Sequence, residues 1–257
     1  MQKQFMLFFL FTVFFASCST VNTNQSSAVN PNAVLNTGSY PSNVYIGISG
    51  RMTIHEKEIE YARVHIAHQI AMRDKCIVDE GTVFMYGNHY DYIISDSNFD
   101  YNDSYIDEII NQIEIIETHI FKELVVVIGK DTKRQAAENT PVPRKNDERP
   151  IWLRNPGWVR RLPGLEDYMV GVGVSGRYSL IYKGILVADI RAAQAIAAEK
   201  SVYSRNYFSD RVDNNSANLD AGNIALTQAE LNGFYIIDRW IEPDGSQCYS
   251  LGIARKY

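Results

Sequence analysis

The sequence predicts an α+β fold of two tandem repeat modules, each with one or two helices packed on a small antiparallel sheet. Three observations carry this expectation. The tripeptide Ser-Gly-Arg occurs at 49–51 and again at 175–177, an offset of 126 residues. Each copy closes a short apolar run, Tyr45–Gly50 or Val170–Gly176, and leads into a helical pattern. Each half then ends on two apolar strands joined by a tight turn.

The first module is expected at 43–131 and the second at 165–257. In the first, Ile59, Ala62, Ile66 and Ile70 repeat at i, i+3, i+7 and i+11. Ile185, Ala188, Ala192 and Ile196 occupy the same offsets in the second. That spacing lays one apolar stripe along a helix. Thr53 and Ser179 stand where a side-chain oxygen caps a helix start. After each helix a strand is expected, at Ile77–Tyr86 and in the matching stretch Ser201–Arg211. A second short helix follows, near Ser104–Ile110 and Ala221–Leu231. The closing hairpins are Ile113–Lys130 and Phe234–Arg255. The second turns at Glu242-Pro243-Asp244-Gly245, where glycine tolerates a positive φ. Ile115-Ile116-Glu117 parallels Ile236-Ile237-Asp238, and Gly129 parallels Gly252.

Residues 132–164 read as a linker and entry segment. Its first half is rich in proline and charge and is expected to be disordered. Its second half carries Trp152 and Trp158, which are expected to bury against the second module. The weaker alternative is contact between this basic, aromatic stretch and anionic lipid or glycan.

Residues 1–17 form an export signal. Lys3 gives a positive start, Phe5–Phe15 is almost wholly apolar, and Ala16-Ser17 leads to Cys18. The run is too short for a spanning helix, which needs about 20 apolar residues. Two readings stand: lipidation of Cys18, or an ordinary signal cut near Ala16 with a free thiol left over. The first is favoured because the cysteine closes the apolar run. The segment resembles the lipobox of bacterial lipoproteins, in which that thiol receives diacylglycerol. Residues 18–42, rich in Ser, Asn and Thr, are expected to be a flexible tether.

The net charge of −5 disfavours broad nucleic-acid binding. Beyond Cys18, the other two of the three cysteines are Cys76 and Cys248. They either form a disulfide in an exported setting or are two separate small apolar residues. Asp96, Asn98, Asp100, Asn102, Ser104 and Asp107 place oxygen ligands at the spacing of a calcium loop. Tyr101 stands where such a loop needs glycine, so a solvated polar loop is the default. His65 and His68 share a helix, but their counterparts Arg191 and Gln194 point to a solvated face rather than a zinc pair. Gly171, Gly173 and Gly176 spell a dinucleotide-type motif. A hairpin follows instead of a parallel crossover, which favours close helix–strand packing. Arg51 and Arg177 recur at the helix entrances and can contact an anion or, more simply, a nearby carboxylate. No nucleophile–base arrangement is visible.

Pro150-x-Trp152-Leu153-x-Asn155-Pro156, Tyr168-Met169-Val170-Gly171-Val172-Gly173 and the alanine-rich helix from Ala188 to Ala198 resemble the Lpp-twenty family of bacterial lipoproteins. The likeness covers about 149–257, with the first half as a degenerate copy. It implies a lipid-anchored protein of the cell envelope, most often the outer membrane. No enzyme activity, catalytic residue or cofactor is implied. The expected role is structural or binding, toward an envelope protein or glycan. The alternative is a calcium- or small-ligand-binding lipoprotein using residues 96–107.

Overall fold

The structure is a computed structural model that describes residues 23–24, 30–79, 82–86, 91–94, 104–136, 148–154, 164–212 and 228–256. A two-residue strand, Thr23–Asn24 (β1), runs parallel to a later strand. Val44–Gly50 (β2) then leads into the helix His55–Asp74 (α1). A small meander follows: Cys76–Asp79 (β3), Thr82–Tyr86 (β4) and Asp91–Ile94 (β5). The short helix Ser104–Ile110 (α2) precedes the hairpin Ile113–Ile120 (β6) and Leu124–Asp131 (β7). The second half runs Ile151–Arg154 (α3), Tyr168–Ser175 (β8) and Ile181–Val212 (α4). It ends with Gln228–Leu231 (β9), Tyr235–Ile241 (β10) and Cys248–Arg255 (β11).

The fold is α+β with three small sheets, ordered β1-β6-β7-β2, β10-β11-β8 and β5-β4-β3-β9. Sheets one and two share a wiring. In each, the strand before the long helix pairs antiparallel with the last strand of the hairpin. In each, the first hairpin strand carries a register shift at the same place, between Ile115 and Glu117 and between Ile236 and Asp238. A methyl built on Gly47 would overlap the carbonyl oxygen of Ala62 on α1. One on Gly173 would overlap the carbonyl oxygen of Ala188 on α4. Only glycine lets these helices lie so close to their sheets. The glycines of the dinucleotide-type motif therefore serve packing: Gly171 and Gly173 press on α4, and Gly176 faces open space.

Several expectations are corrected. The halves do not separate into two domains, because β9 from the second half pairs with β3 from the first. One core cluster contains residues of both halves. Ser201–Arg211 is not a strand but the continuation of α4. The stretch expected as a helix at Ala221–Leu231 ends in strand β9, and 221–227 lie outside the described residues. Thr53 does not cap α1; Ile54 sits at the cap, without a side-chain bond. The Glu58 carboxylate instead reaches back to accept the Met52 N–H at 2.6 Å.

Residues 30–42, expected as tether, are packed into the body. Leu35 and Thr37 are fully buried. The Asn32 amide donates to the Ile241 carbonyl and accepts the Ile241 N–H, both at 2.8 Å. It acts as a one-residue strand that closes the free edge of β10, an edge that would otherwise invite pairing with another chain.

Nor does α1 show a single apolar stripe. From Val64 to Met72 every residue is buried, because α1 packs on β2 and β7 and also meets β10 of the second half. On α4 residues 185–190 are likewise all buried, whereas the stretch that matches 64–72, residues 190–198, keeps Arg191 and Ala198 exposed. Trp152 of α3 is buried, and its indole N–H donates to Asp238 at 2.8 Å. Residues 149–154 of the entry segment thus dock on the second unit, and Trp158 lies outside the described residues. Among the described residues, no helix is long and apolar enough to cross a membrane.

Candidate functional site

Burial of continuous runs on both central helices, 64–72 on α1 and 184–190 on α4, forces polar residues into the interior. His65 and His68, expected on a solvated face, are both buried at the junction of the two units. Ile48 donates its N–H to His65 Nδ1 at 3.1 Å, while His65 Nε2 lies 3.3 Å from an Asp189 oxygen. The ring is thereby held as the neutral tautomer with its proton on Nε2. Gln69 donates to the Ile46 carbonyl at 2.9 Å, so two side chains of α1 satisfy the free edge of β2.

Arg239 is the centre of this junction and is completely buried. Its Nε and Nη2 grip Asp189 at 2.8–3.1 Å, and Nη2 also donates to Gln69 at 2.9 Å. Ser250 adds a 2.5 Å hydrogen bond to Asp189. Burial alone would raise the Asp189 carboxyl. The adjacent Arg239 charge and the hydrogen bonds from His65 and Arg239 outweigh it and hold the group near 2. Burial, then the neighbouring His65, pushes His68 down to about 3. The adjoining cavity is about 30 Å³, room for roughly one water. These groups are occupied with one another, so the junction is a polar weld between the units.

The junction divides the molecule into two ends. At the near end, both hairpin turns and both strand-to-helix loops converge with Asn30–Asn32 around a cleft of about 560 Å³. The recurrent arginines work here. Arg51 Nη1 donates to the carbonyl of Phe121 at 2.8 Å, in the turn of its own hairpin. Arg177 Nη2 donates to the carbonyl of Asp244 at 3.0 Å, in the turn of the other. Arg51 also pairs with the buried Glu58 at 3.0 Å, and His55 Nδ1 lies 2.5 Å from the other Glu58 oxygen. Both arginines thus pin hairpin turns.

At the far end, a cleft of about 390 Å³ opens where α1, β7 and β11 finish. Arg73, Arg134 and Arg255 line it together with Asp74. Arg134 pairs with Asp74 and lies 3.6 Å from Asp131. Arg73 stacks over the Tyr235 ring at 4.5 Å and also donates to the Tyr45 hydroxyl at 3.1 Å. Tyr235 lines the cleft and meets the buried Tyr45 ring edge to face at 5.4 Å. The sequence missed this site because its arginines are 61 and 121 positions apart and belong to no motif.

The other sequence-derived candidates fall as follows. Cys18, Asp96, Asn98 and Asp100 lie outside the described residues. Asp107 is exposed on the first turn of α2. Among the described residues, no three His, Cys, Asp or Glu side chains gather as a metal site. Cys76 and Cys248 do not pair: both thiols are free and buried, one in β3 and one at the start of β11, in separate core clusters. Burial pushes them up to about 12 and about 11, so they behave as small apolar residues. No family model, curated protein or solved structure matches this chain.

Proposed function

We propose that this chain is an exported, lipid-anchored cell-envelope protein whose body has a non-enzymatic, structural or binding role toward an envelope protein or glycan. The observation that carries this reading is the fastening of Asn30–Asn32 into the near end. Strand β1 pairs Thr23–Asn24 with Thr118–His119, beside the first hairpin turn of that end. About five residues separate Cys18 from Thr23, a reach of roughly 17 Å at full extension, well short of the width of a body of this size, on the order of 40–45 Å. An anchor at Cys18 therefore turns the near end to the bilayer and the arginine cleft away from it. The ionisable groups of the junction already have structural work, which suits a scaffold more than a reaction centre. Kinship with the Lpp-twenty lipoproteins is part of the proposal, on the motifs from Pro150 to Ala198.

Mass spectrometry of the mature chain tests the anchor. The expected N-terminus is Cys18 bearing acyl chains; an unmodified Cys18 thiol or a retained leader refutes the reading. Crosslinking in intact envelopes tests the role. Recovery of an envelope protein or glycan supports it, and recovery of small metabolites alone refutes it.

A further inference from the structure

We infer that the far-end cleft is a binding site for a small anionic sugar, whose phosphate or carboxylate group is held by Arg73 and Arg255. This names a ligand class for the binding role proposed above and stands whether or not Cys18 is lipidated.

The charge distribution is the first reason. The chain as a whole is acidic, at −5, yet this cleft gathers three guanidinium groups, of which, among the described residues, Arg134 alone is paired with the carboxylates of Asp74 and Asp131. The second reason is which donors are already engaged. Arg134 is committed to Asp74 and Asp131. Arg73 donates through Nη1 alone, to the Ser42 carbonyl and the Tyr45 hydroxyl. Its Nε and Nη2 have no partner among the described residues. The Arg255 side chain is exposed and likewise has neither hydrogen bond nor ion pair among the described residues.

The third reason is preorganisation. The Tyr45 and Tyr235 rings hold the Arg73 guanidinium at the cleft wall, so little side-chain entropy is left to lose on binding. A planar fork of N–H donors matches the oxygens of a phosphate or carboxylate. The sugar portion follows from the remaining wall. The Tyr168 hydroxyl and the Asn232 amide line the cleft without partners among the described residues and can bond ring hydroxyls. A volume of about 390 Å³ lies within the range of small-ligand sites.

Isothermal titration of the full chain in detergent, with glucose 6-phosphate, glucuronate and glucose as probes, tests the inference. At least one charged sugar binds, and glucose binds at least tenfold more weakly or not at all. The two charged probes separate phosphate from carboxylate as the anchor group. Arg255→Gln, at an exposed position, weakens the charged sugar about tenfold or more with an unchanged melting temperature. No binding of either charged sugar, equal binding of glucose, or an unaltered Arg255→Gln overturns the inference. A chain that binds the sugar but carries no lipid refutes the anchor and leaves the cleft standing. A lipidated chain that binds neither charged sugar refutes the cleft alone.

Discussion

Two of the three sheets of this molecule, one in each half, share a strand wiring and carry very different polar loads. Both set a glycine strand against a long helix, shift register at the same hairpin position, and use an arginine to hold the hairpin turn. Yet where the second unit places Asp189, Arg239 and Ser250, the matching positions of the first are Arg63, Thr118 and Val127. The first unit contributes instead the neutral partners His65 and Gln69. Their counterparts in the second are the exposed Arg191 and the half-buried Ala195. The sheets differ in the same sense. Strand β2 is buried on both faces, whereas β8 leaves one face partly open. A shared chain plan thus leaves side chains free to diverge, and the divergence is complementary: a charged pair on one side meets neutral hydrogen-bonding groups on the other.

That contrast can be broken by substitution. Arg239→Met should have the largest effect, about 3–5 kcal/mol of lost stability in urea unfolding, because Asp189 is left buried without its cation. Thr118→Val, at the matching position of the first unit, should cost under about 1 kcal/mol, since its hydroxyl has no partner among the described residues. Similar losses from both would erase the distinction between the units.

Acid should act chiefly through the first unit. The folded chain holds His68 neutral down to about pH 3, while the unfolded chain protonates it near 6.5. The unfolded state then binds the extra proton, so stability falls with pH from about 6.5 to 3, by up to about 1.4 kcal/mol per pH unit. Asp189 acts lower: its stabilisation is complete above about 4 and is lost as pH falls toward 2. His68→Gln copies Gln194 of the second unit and should flatten the upper part of this profile. An unchanged slope would remove His68 as its cause.

The packing glycines should behave alike. Gly47→Ala and Gly173→Ala should each cost about 1–3 kcal/mol, through overlap with the helix carbonyl above. Matched thermal melts would show a large inequality if only one unit were tightly packed. The smallest effects belong to the turn arginines. Arg51→Ala should cost about 1–2 kcal/mol because buried Glu58 loses its cation. Arg177→Ala, on the surface, should stay within about 0.5 kcal/mol. Equal losses would mean that the turn contact, and not Glu58, sets the value.

Sequence alone determined the strand–loop–helix order at both Ser-Gly-Arg segments, both closing hairpins, and the parallel of Gly129 with Gly252. These features depend on periodicity and turn chemistry within a few residues. Tertiary structure alone decided the burial of His65 and His68, the packing of residues 30–42, the strand β9 where a helix was expected, and the separation of Cys76 from Cys248. The arginine cleft belongs with these, since Arg73, Arg134 and Arg255 meet only after α1, β7 and β11 end side by side. In each case the partner lies far along the chain. A polar residue in a helical pattern looks solvated until a second helix and a foreign strand edge arrive to enclose and satisfy it.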